Sequence, residues 1–336
     1  MSLNAVKGRS LLTVHDLSDA EMLAMLDLSD WLKQRKRNGV RGDLLARRNV
    51  AMIFEKLSTR TRCATAVAVA DEGGTTEFLG KGETHIGRKE SIKDTARVLG
   101  RMFDGIMFRG FQQSTVESLA RYSGIPVWNG LTDQDHPTQT LADLMTIREA
   151  FGTLRGIRVV YVGDGRNNVA TSLMTGCAKA GMDFVNCTPE ALSPARDILV
   201  TSREIATRNG GTVTVVADPF QAVRDANVVY TDVWISMGEE AEEAERLRLL
   251  RPYQVNQALM EATGHLVDGK GIFLHCLPAY HDSNTDFTRE RGALEVTDDV
   301  FEAPYSRVFD QAENRVHTIK AAMVASLCGA VQTAGE

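Results

Sequence analysis

The sequence predicts an α/β protein of two domains, each a mostly parallel sheet flanked by helices. Apolar runs of strand length alternate with helical patterns along most of the chain. Such a βα succession builds a parallel sheet covered by helices. The length, 336 residues, fits two domains. A second βα series opens at Ile157, after a break at Phe151-Gly152 that reads as a hinge. The domains expected are therefore 1–150 and a second one from 151 onward.

The elements follow in order. Ser18-Asp19-Ala20-Glu21 is a capping box opening a helix that closes near Gly39. Val50 to Phe54 is a continuous apolar run, a buried strand. The alanine-rich stretch after it predicts a helix over 59–71. Glu77-Phe78-Leu79 is a candidate short strand, followed by a helix over 91–102 and a strand over 105–109. Ser114-Thr115-Val116-Glu117 is expected to cap the next helix, and 125–128 to form the next strand. A helix is expected from Pro137 to about Ala150. In the second series, strands are expected at 157–162, 183–187, 212–216, 227–231 and 271–276. Ala312 to Val331 reads as one long helix.

Composition narrows the function. The chain is 43% hydrophobic and 24% charged, with net charge −6. That is globular composition without the basic balance of a nucleic-acid or anionic-membrane binder. The basic run Lys33 to Arg37 reads as a solvated helix end, and the acidic cluster Glu239 to Glu245 as a solvated face. No run reaches transmembrane length, and Met1 to Arg9 lacks the apolar core of a signal peptide. Five scattered cysteines without a CxxC pair indicate neither a disulfide framework nor a zinc site. A reducing cytoplasm is expected.

Polar clusters fall where strands end. Ser58-Thr59-Arg60-Thr61-Arg62 stands between a strand and a helix, with Ser58 as candidate N-cap. Unpaired N–H groups at the helix start, together with guanidinium forks, suit a phosphate. Arg109 leaves the strand 105–109, and His136-Pro137-Thr138-Gln139 opens a helix with His136 and Gln139 three apart. Gly163-Asp164-Gly165-Arg166-Asn167-Asn168 resembles a dinucleotide loop superficially. Its third glycine is missing and no pairing acid follows, so nicotinamide binding is disfavoured. Asp232 ends another strand, where it could pair with an ammonium group or simply cap a turn. His275-Cys276-Leu277-Pro278 ends the last strand; a free cysteine there is either a small buried hydrophobe or a reactive group. His265 has no polar cluster around it.

Taken together, these motifs resemble the ornithine carbamoyltransferases of the aspartate/ornithine carbamoyltransferase family. Besides the clusters above, the resemblance rests on Lys89-Glu90-Ser91-Ile92-Lys93-Asp94-Thr95, Asp232-Val233-Trp234 with Ser236-Met237-Gly238, and Gln311-Ala312-Glu313-Asn314-Arg315. It implies transfer of a carbamoyl group from carbamoyl phosphate to the side-chain amine of L-ornithine, giving L-citrulline and phosphate, in arginine synthesis or breakdown. It implies no cofactor and no metal, no nucleic-acid or membrane partner, and a homotrimer or a multiple of trimers. Residues 1–150 would bind carbamoyl phosphate and 151–315 ornithine, with the C-terminal helix 316–336 returning to the first domain.

Carried over by motif, Ser58, Thr59, Arg60, Thr61 and Arg109 would hold the phosphate. Arg60, His136 and Gln139, with the main chain at Cys276 and Leu277, would hold the carbamoyl group. Asn168, Asp232, Ser236 and Met237 would bind ornithine, with Cys276 near its amine and Arg315 near the scissile carbamoyl. The segment Gly80 to Glu90 resembles a loop that reaches a neighbouring subunit, but the family's usual glutamine contact falls on His85. Aspartate carbamoyltransferase is the nearest alternative; Ala279 stands where it would carry an arginine. Ser236-Met237-Gly238 argues against putrescine as acceptor. A non-catalytic binding protein is disfavoured because Arg60, His136 and Cys276 are all present.

Overall fold

The computed structural model describes residues 3–83, 86–87, 89–235 and 242–329. Its backbone groups into two compact units, Met1–Met145 with Glu313–Glu336, and Thr146–Ala312.

The first unit runs α1 (Asp19–Arg37), β1 (Asn49–Phe54), α2 (Arg60–Asp71), β2 (Thr75–Gly80), α3 (Ile92–Leu99), β3 (Gly105–Arg109), α4 (Gln113–Ser123), β4 (Val127–Asn129) and the start of α5 (Pro137–Phe151). Its sheet is parallel throughout in the order β2-β1-β3-β4. Ala51, Ile53, Ile106, Phe108 and Val127 form a core with Val116 and Leu119 of α4. Every residue of β1 after Asn49 is buried, which is why the strand reads as a continuous apolar run. Strand order reverses between β1 and β3, and the register sets Phe54 beside Arg109. The crevice at such a reversal, beyond the strand carboxyl ends, is where open α/β sheets bind ligands.

The second unit runs β5 (Arg158–Val162), α6 (Asn168–Lys179), β6 (Asp183–Cys187), α7 (Arg196–Asn209), β7 (Thr212–Val216), α8 (Pro219–Ala222), β8 (Val228–Thr231), α9 (Glu243–Leu250), α10 (Gln257–Glu261), β9 (Ile272–His275) and α11 (Asp298–Phe301). The last helix is α12 (Val308–Cys328), whose residues from Glu313 onward belong to the first unit. This sheet is also parallel, in the order β7-β6-β5-β8-β9. Val160, Val162, Val185, Val229 and Phe273 pack with Val296 and Phe301. Its reversal lies between β5 and β8. Among the described residues no helix is long and apolar enough to cross a membrane.

Several local expectations are corrected. The helix expected over 91–102 stops at Leu99. There Gly100 passes so close to α4 that a Cβ on it would lie 1.8 Å from the Ser123 carbonyl oxygen. Ser114 does not cap α4. The helix already includes Gln113, whose N–H donates to Asp133 Oδ1 at 2.9 Å, so a distant carboxylate does what a local serine was expected to do. The strand expected at 125–128 is Val127–Asn129; Pro126, which has no N–H, contributes only its carbonyl, to Ile106 N–H. The last helix begins at Val308, ahead of Ala312.

Lys33 is not solvated. It is 1% exposed, and its Nζ donates to Asn314 Oδ1 at 2.7 Å. The rest of that basic run lies at the surface of the first unit, with Lys36 on Asp71 and Arg37 near Glu313. Of the acidic cluster, Glu245 pairs with Arg248 and Glu243 with Arg291; Glu239 and Glu240 lie outside the described residues.

Candidate active site

In the first unit the site begins where β1 gives way to α2. Thr59 already has helical dihedrals, and Ser58 Oγ accepts from Thr61 N–H at 3.2 Å, so Ser58 caps the helix as its sequence position suggests. Arg60 is half-buried and Thr61 buried. Arg62 departs from expectation. Its guanidinium lies 3.6 Å from the centroid of the Phe78 ring, a cation–π contact on β2, so it is occupied away from the Thr61 hydroxyl.

Arg109, at the tip of β3, turns back across the sheet end. Its Nη1 donates to Gly130 O at 3.2 Å and to Thr61 Oγ1 at 3.4 Å. Arg315 on α12 comes from far along the chain to the same hydroxyl, donating from Nη2 at 3.0 Å. The other arm of its fork donates to Gln139 Oε1 at 2.6 Å. Gln139 Nε2 in turn donates to Asp143 Oδ1 at 2.7 Å. Thr61, Arg109, Gln139 and Arg315 thus form one connected set, 254 residues apart at its extremes.

His136 is 3% exposed at the start of α5, its Nδ1 3.4 Å from Thr138 Oγ1. Burial pushes its pKa well below the usual 6.5, and the positive fields of Arg315, Arg109 and Arg60 push it the same way. The imidazole is therefore neutral near physiological pH. It can donate one hydrogen bond without adding a further buried charge, while three guanidinium groups supply the positive field. That combination suits a small ligand carrying both a dianion and a polarisable carbonyl.

In the second unit, Asp232 follows β8 and Cys276 follows β9, on neighbouring strands. Cys276 Sγ donates to Asp232 Oδ1 at 3.0 Å, an oxygen that also accepts from Val233 N–H. Tyr161, buried on β5, has its pKa raised well above 10, by burial first and then by the negative fields of Asp232 and Asp164. Asp232, beside the Cys276 thiol, is thus a carboxylate at the adjoining ends of β8 and β9, while Asp164 at the end of β5 is paired with Arg246.

Leu277 sits in the left-handed region at φ 60°, and its N–H donates to His275 Nδ1 at 2.9 Å. With Nδ1 accepting, His275 carries its proton on Nε2, which meets Glu295 Oε1 at 3.2 Å. Asn168 is the first residue of α6 and half-buried; the cap itself is Asn167, whose Oδ1 accepts from Val169 N–H. Nearby, the buried pair Asp164–Arg246 at 2.7 Å ties the β5 loop to α9, and Arg246 Nε also holds Trp234 O.

The structure thus gathers Ser58, Arg60, Thr61, Arg109, His136, Gln139 and Arg315 within the first unit, with Thr59 exposed beside them. It sets Asp232, Cys276 and Leu277 together in the second, and Asn168 at the head of α6 after the neighbouring β5. His85, Ser236 and Met237 lie outside the described residues. Sequence reasoning missed Asp143, Glu295 and the Asp164–Arg246 pair. Only Asp143 had a local signal, one helical turn after Gln139. Asp232, His275 and Cys276 are close enough to share a metal ion, but both His275 nitrogens are already engaged within the loop.

Comparison with known proteins assigns the class. The carbamoyl-P binding domain of aspartate/ornithine carbamoyltransferase matches residues 9–149, and the Asp/Orn binding domain of the same family matches residues 155–326. This chain belongs to the aspartate/ornithine carbamoyltransferase family. Within it, the chain is 55% identical over 328 residues to a catabolic ornithine carbamoyltransferase of Bacillus cereus, covering 96% of this chain and 97% of that one. A catabolic ornithine carbamoyltransferase of Staphylococcus aureus is 52% identical over the same span. Among solved structures, the ornithine carbamoyltransferase of Pyrococcus furiosus superposes with a TM-score of 0.88 at 44% identity, covering 97% of this chain and 98% of its own. That of Thermus thermophilus gives 0.79 at 38% identity, covering 94% and 97%.

Proposed function

We propose that this chain transfers the carbamoyl group of carbamoyl phosphate to the side-chain amine of L-ornithine, releasing L-citrulline and phosphate. One observation carries the site reading: Thr61, Arg109, Gln139 and Arg315 are joined by hydrogen bonds, and the positive fields of Arg60, Arg109 and Arg315 reach the buried His136. In this reading Ser58, Thr59, Arg60, Thr61 and Arg109 hold the phosphate. His136 and Arg60 donate to the carbamoyl oxygen, Gln139 and the Leu277 carbonyl receive its NH2 group, and Arg315 lies beside the scissile group.

Chemistry follows from these assignments. The ornithine ammonium, with a pKa of about 10.4 by analogy with lysine, must first lose a proton. Its nitrogen lone pair then attacks the carbamoyl carbon. As the C–N bond forms, the C=O pair moves onto oxygen, where His136 and Arg60 stabilise it; one such donor is typically worth about 2.7–4 kcal/mol. Collapse breaks the C–O bond to phosphate, which takes the extra proton from the attacking nitrogen as it leaves and whose remaining charge meets Arg109 and the start of α2. The Asp232 carboxylate attracts and orients the amine, with Asn168, Ser236 and Met237 on its amino-acid end. Cys276 steers rather than attacks, since its thiol is held on Asp232.

The catabolic names of the Bacillus and Staphylococcus relatives favour arginine breakdown over amino-acid biosynthesis. We place the enzyme in the cytoplasm as a homotrimer or multiple of trimers. All five cysteines are free, which supports a reducing compartment. The test is to mix purified protein with carbamoyl phosphate and L-ornithine, putrescine or L-aspartate, and measure ureido product. Product from ornithine alone supports the assignment. Preference for another amine would keep the carbamoyl-phosphate half and discard the ornithine half.

A further inference from the structure

The amide of Gln139 is held between two groups that leave it one orientation. At one end stands the Asp143 carboxylate, fully buried, which accepts from Nε2 at 2.7 Å. At the other stands the Arg315 guanidinium, which can only donate, and does so to Oε1 at 2.6 Å. An ionised carboxylate accepts only and a guanidinium donates only. Turning the amide over would set oxygen against carboxylate and NH2 against guanidinium, losing both hydrogen bonds at once. Arg315 is itself fixed by Thr61 Oγ1 at 3.0 Å, so the far end of the clamp does not drift.

We infer that Asp143 is a positioning residue that makes Gln139 Oε1 a fixed acceptor, and that this acceptor selects carbamoyl phosphate over acyl phosphates lacking an N–H, such as acetyl phosphate. The inference rests on the reading that Gln139 faces the carbamoyl group. Gln139 and His136 are three residues apart at the start of α5. The carbonyl oxygen of either ligand can meet His136, so the two ligands differ in what they offer Gln139 and the Leu277 carbonyl, and of these two acceptors Gln139 is the one Asp143 holds. Carbamoyl phosphate donates an N–H to the second lone pair of Oε1. Acetyl phosphate brings a methyl group and leaves the second lone pair of Oε1 unused, with only Arg315 donating to that oxygen. Sites built around a hydrogen bond reject analogues lacking it for this reason. Without Asp143 the amide can rotate its NH2 toward the ligand, and the preference for a ligand N–H is lost.

The test compares three constants in wild type and Asp143→Ala: the KM of carbamoyl phosphate, and the inhibition constants of acetyl phosphate and inorganic phosphate. The expected result is a rise of about tenfold in the first, as for one lost hydrogen bond of about 1.4 kcal/mol. Acetyl phosphate should bind as well as before or better, and phosphate within about twofold of wild type. A parallel rise in all three would make Asp143 merely structural and overturn the proposal, as would no change in any. Should the alanine variant fail to fold, Asp143→Leu carries the test, because it fills the site without offering Gln139 an acceptor. It should raise the carbamoyl phosphate KM about tenfold with phosphate inhibition unchanged, and an unchanged KM would overturn the proposal. Wild-type protein that forms no citrulline but binds phosphate would overturn the carbamoyl reading and this inference with it, before any variant is compared.

Discussion

Arg315 separates two explanations of the proposed carbamoyl site, a positive charge in the right place or a planar fork with two fixed arms. Arg315→Lys keeps the charge and removes the fork; Arg315→Gln removes both. In the native site one arm holds Gln139 Oε1 at 2.6 Å and the other holds Thr61 Oγ1 at 3.0 Å. A lysine ammonium is a point charge on a flexible stem and cannot span both partners. Hydrogen bonds to charged groups are worth about 1.5–3 kcal/mol each. Losing one bond should therefore lower kcat/KM about tenfold to 150-fold. If the freed Gln139 and Thr61 also misplace the carbamoyl oxygen relative to His136, the loss should approach about a thousandfold, as for an oxyanion donor. Citrulline formation at saturating ornithine, over a range of carbamoyl phosphate, gives kcat and KM separately; circular dichroism confirms the fold. The fork account expects Lys and Gln variants to be comparably impaired. An Arg315→Lys enzyme within about threefold of wild type, beside an inactive Gln variant, would refute it and leave charge alone as the cause.

Other outcomes follow from single contacts. Asp232→Asn should raise the ornithine KM by about tenfold or more, because a hydrogen-bonded charge is removed, while leaving the carbamoyl phosphate KM within about twofold; parallel changes in both would contradict the division of the site. Arg62→Ala should keep kcat/KM within about twofold and lower stability by no more than about 1 kcal/mol, the worth of an exposed cation–π contact; a large loss of activity would return Arg62 to the anion site. Burial, with Lys320, Lys33 and Lys36 nearby, pushes the His317 pKa down from 6.5 to about 3. The unfolded chain then binds the extra proton first, so stability is full above pH 6.5 and falls as pH drops toward 3. Between pH 7 and pH 5 that loss is about 2 kcal/mol. His317→Gln should be less acid-sensitive than wild type by about that amount in urea unfolding, and an equal loss in both proteins would remove His317 as the cause.

How far the sequence could be read depended on how local each cause was. β1, β3 and β5 were legible because both faces of their sheets are covered, which leaves uninterrupted apolar runs. Ser58 was legible as a cap because its partner Thr61 is three residues away. α4 was misread because its first N–H is satisfied by Asp133, which no pattern around Gln113 reveals. Lys33 looked like part of a solvated run because its partner, Asn314, lies 281 residues on. Arg62 looked like an anion ligand until the β2 ring at Phe78 accounted for it. In the site itself, each strand-end motif was visible alone. What the sequence could not supply was the order of donation, with Gln139 fixed by Asp143 and Arg315, and Leu277 N–H committed to His275.

The most direct test of the account is to follow carbon-13 from the carbonyl of carbamoyl phosphate by NMR, with L-ornithine and purified enzyme. The account predicts a single enzyme-dependent product signal, the ureido carbon on the side-chain nitrogen of citrulline, and no label retained on the protein. Label on the α-amine of ornithine, or a carbamoylated Cys276 recovered by mass spectrometry, would contradict direct transfer to an amine held at Asp232.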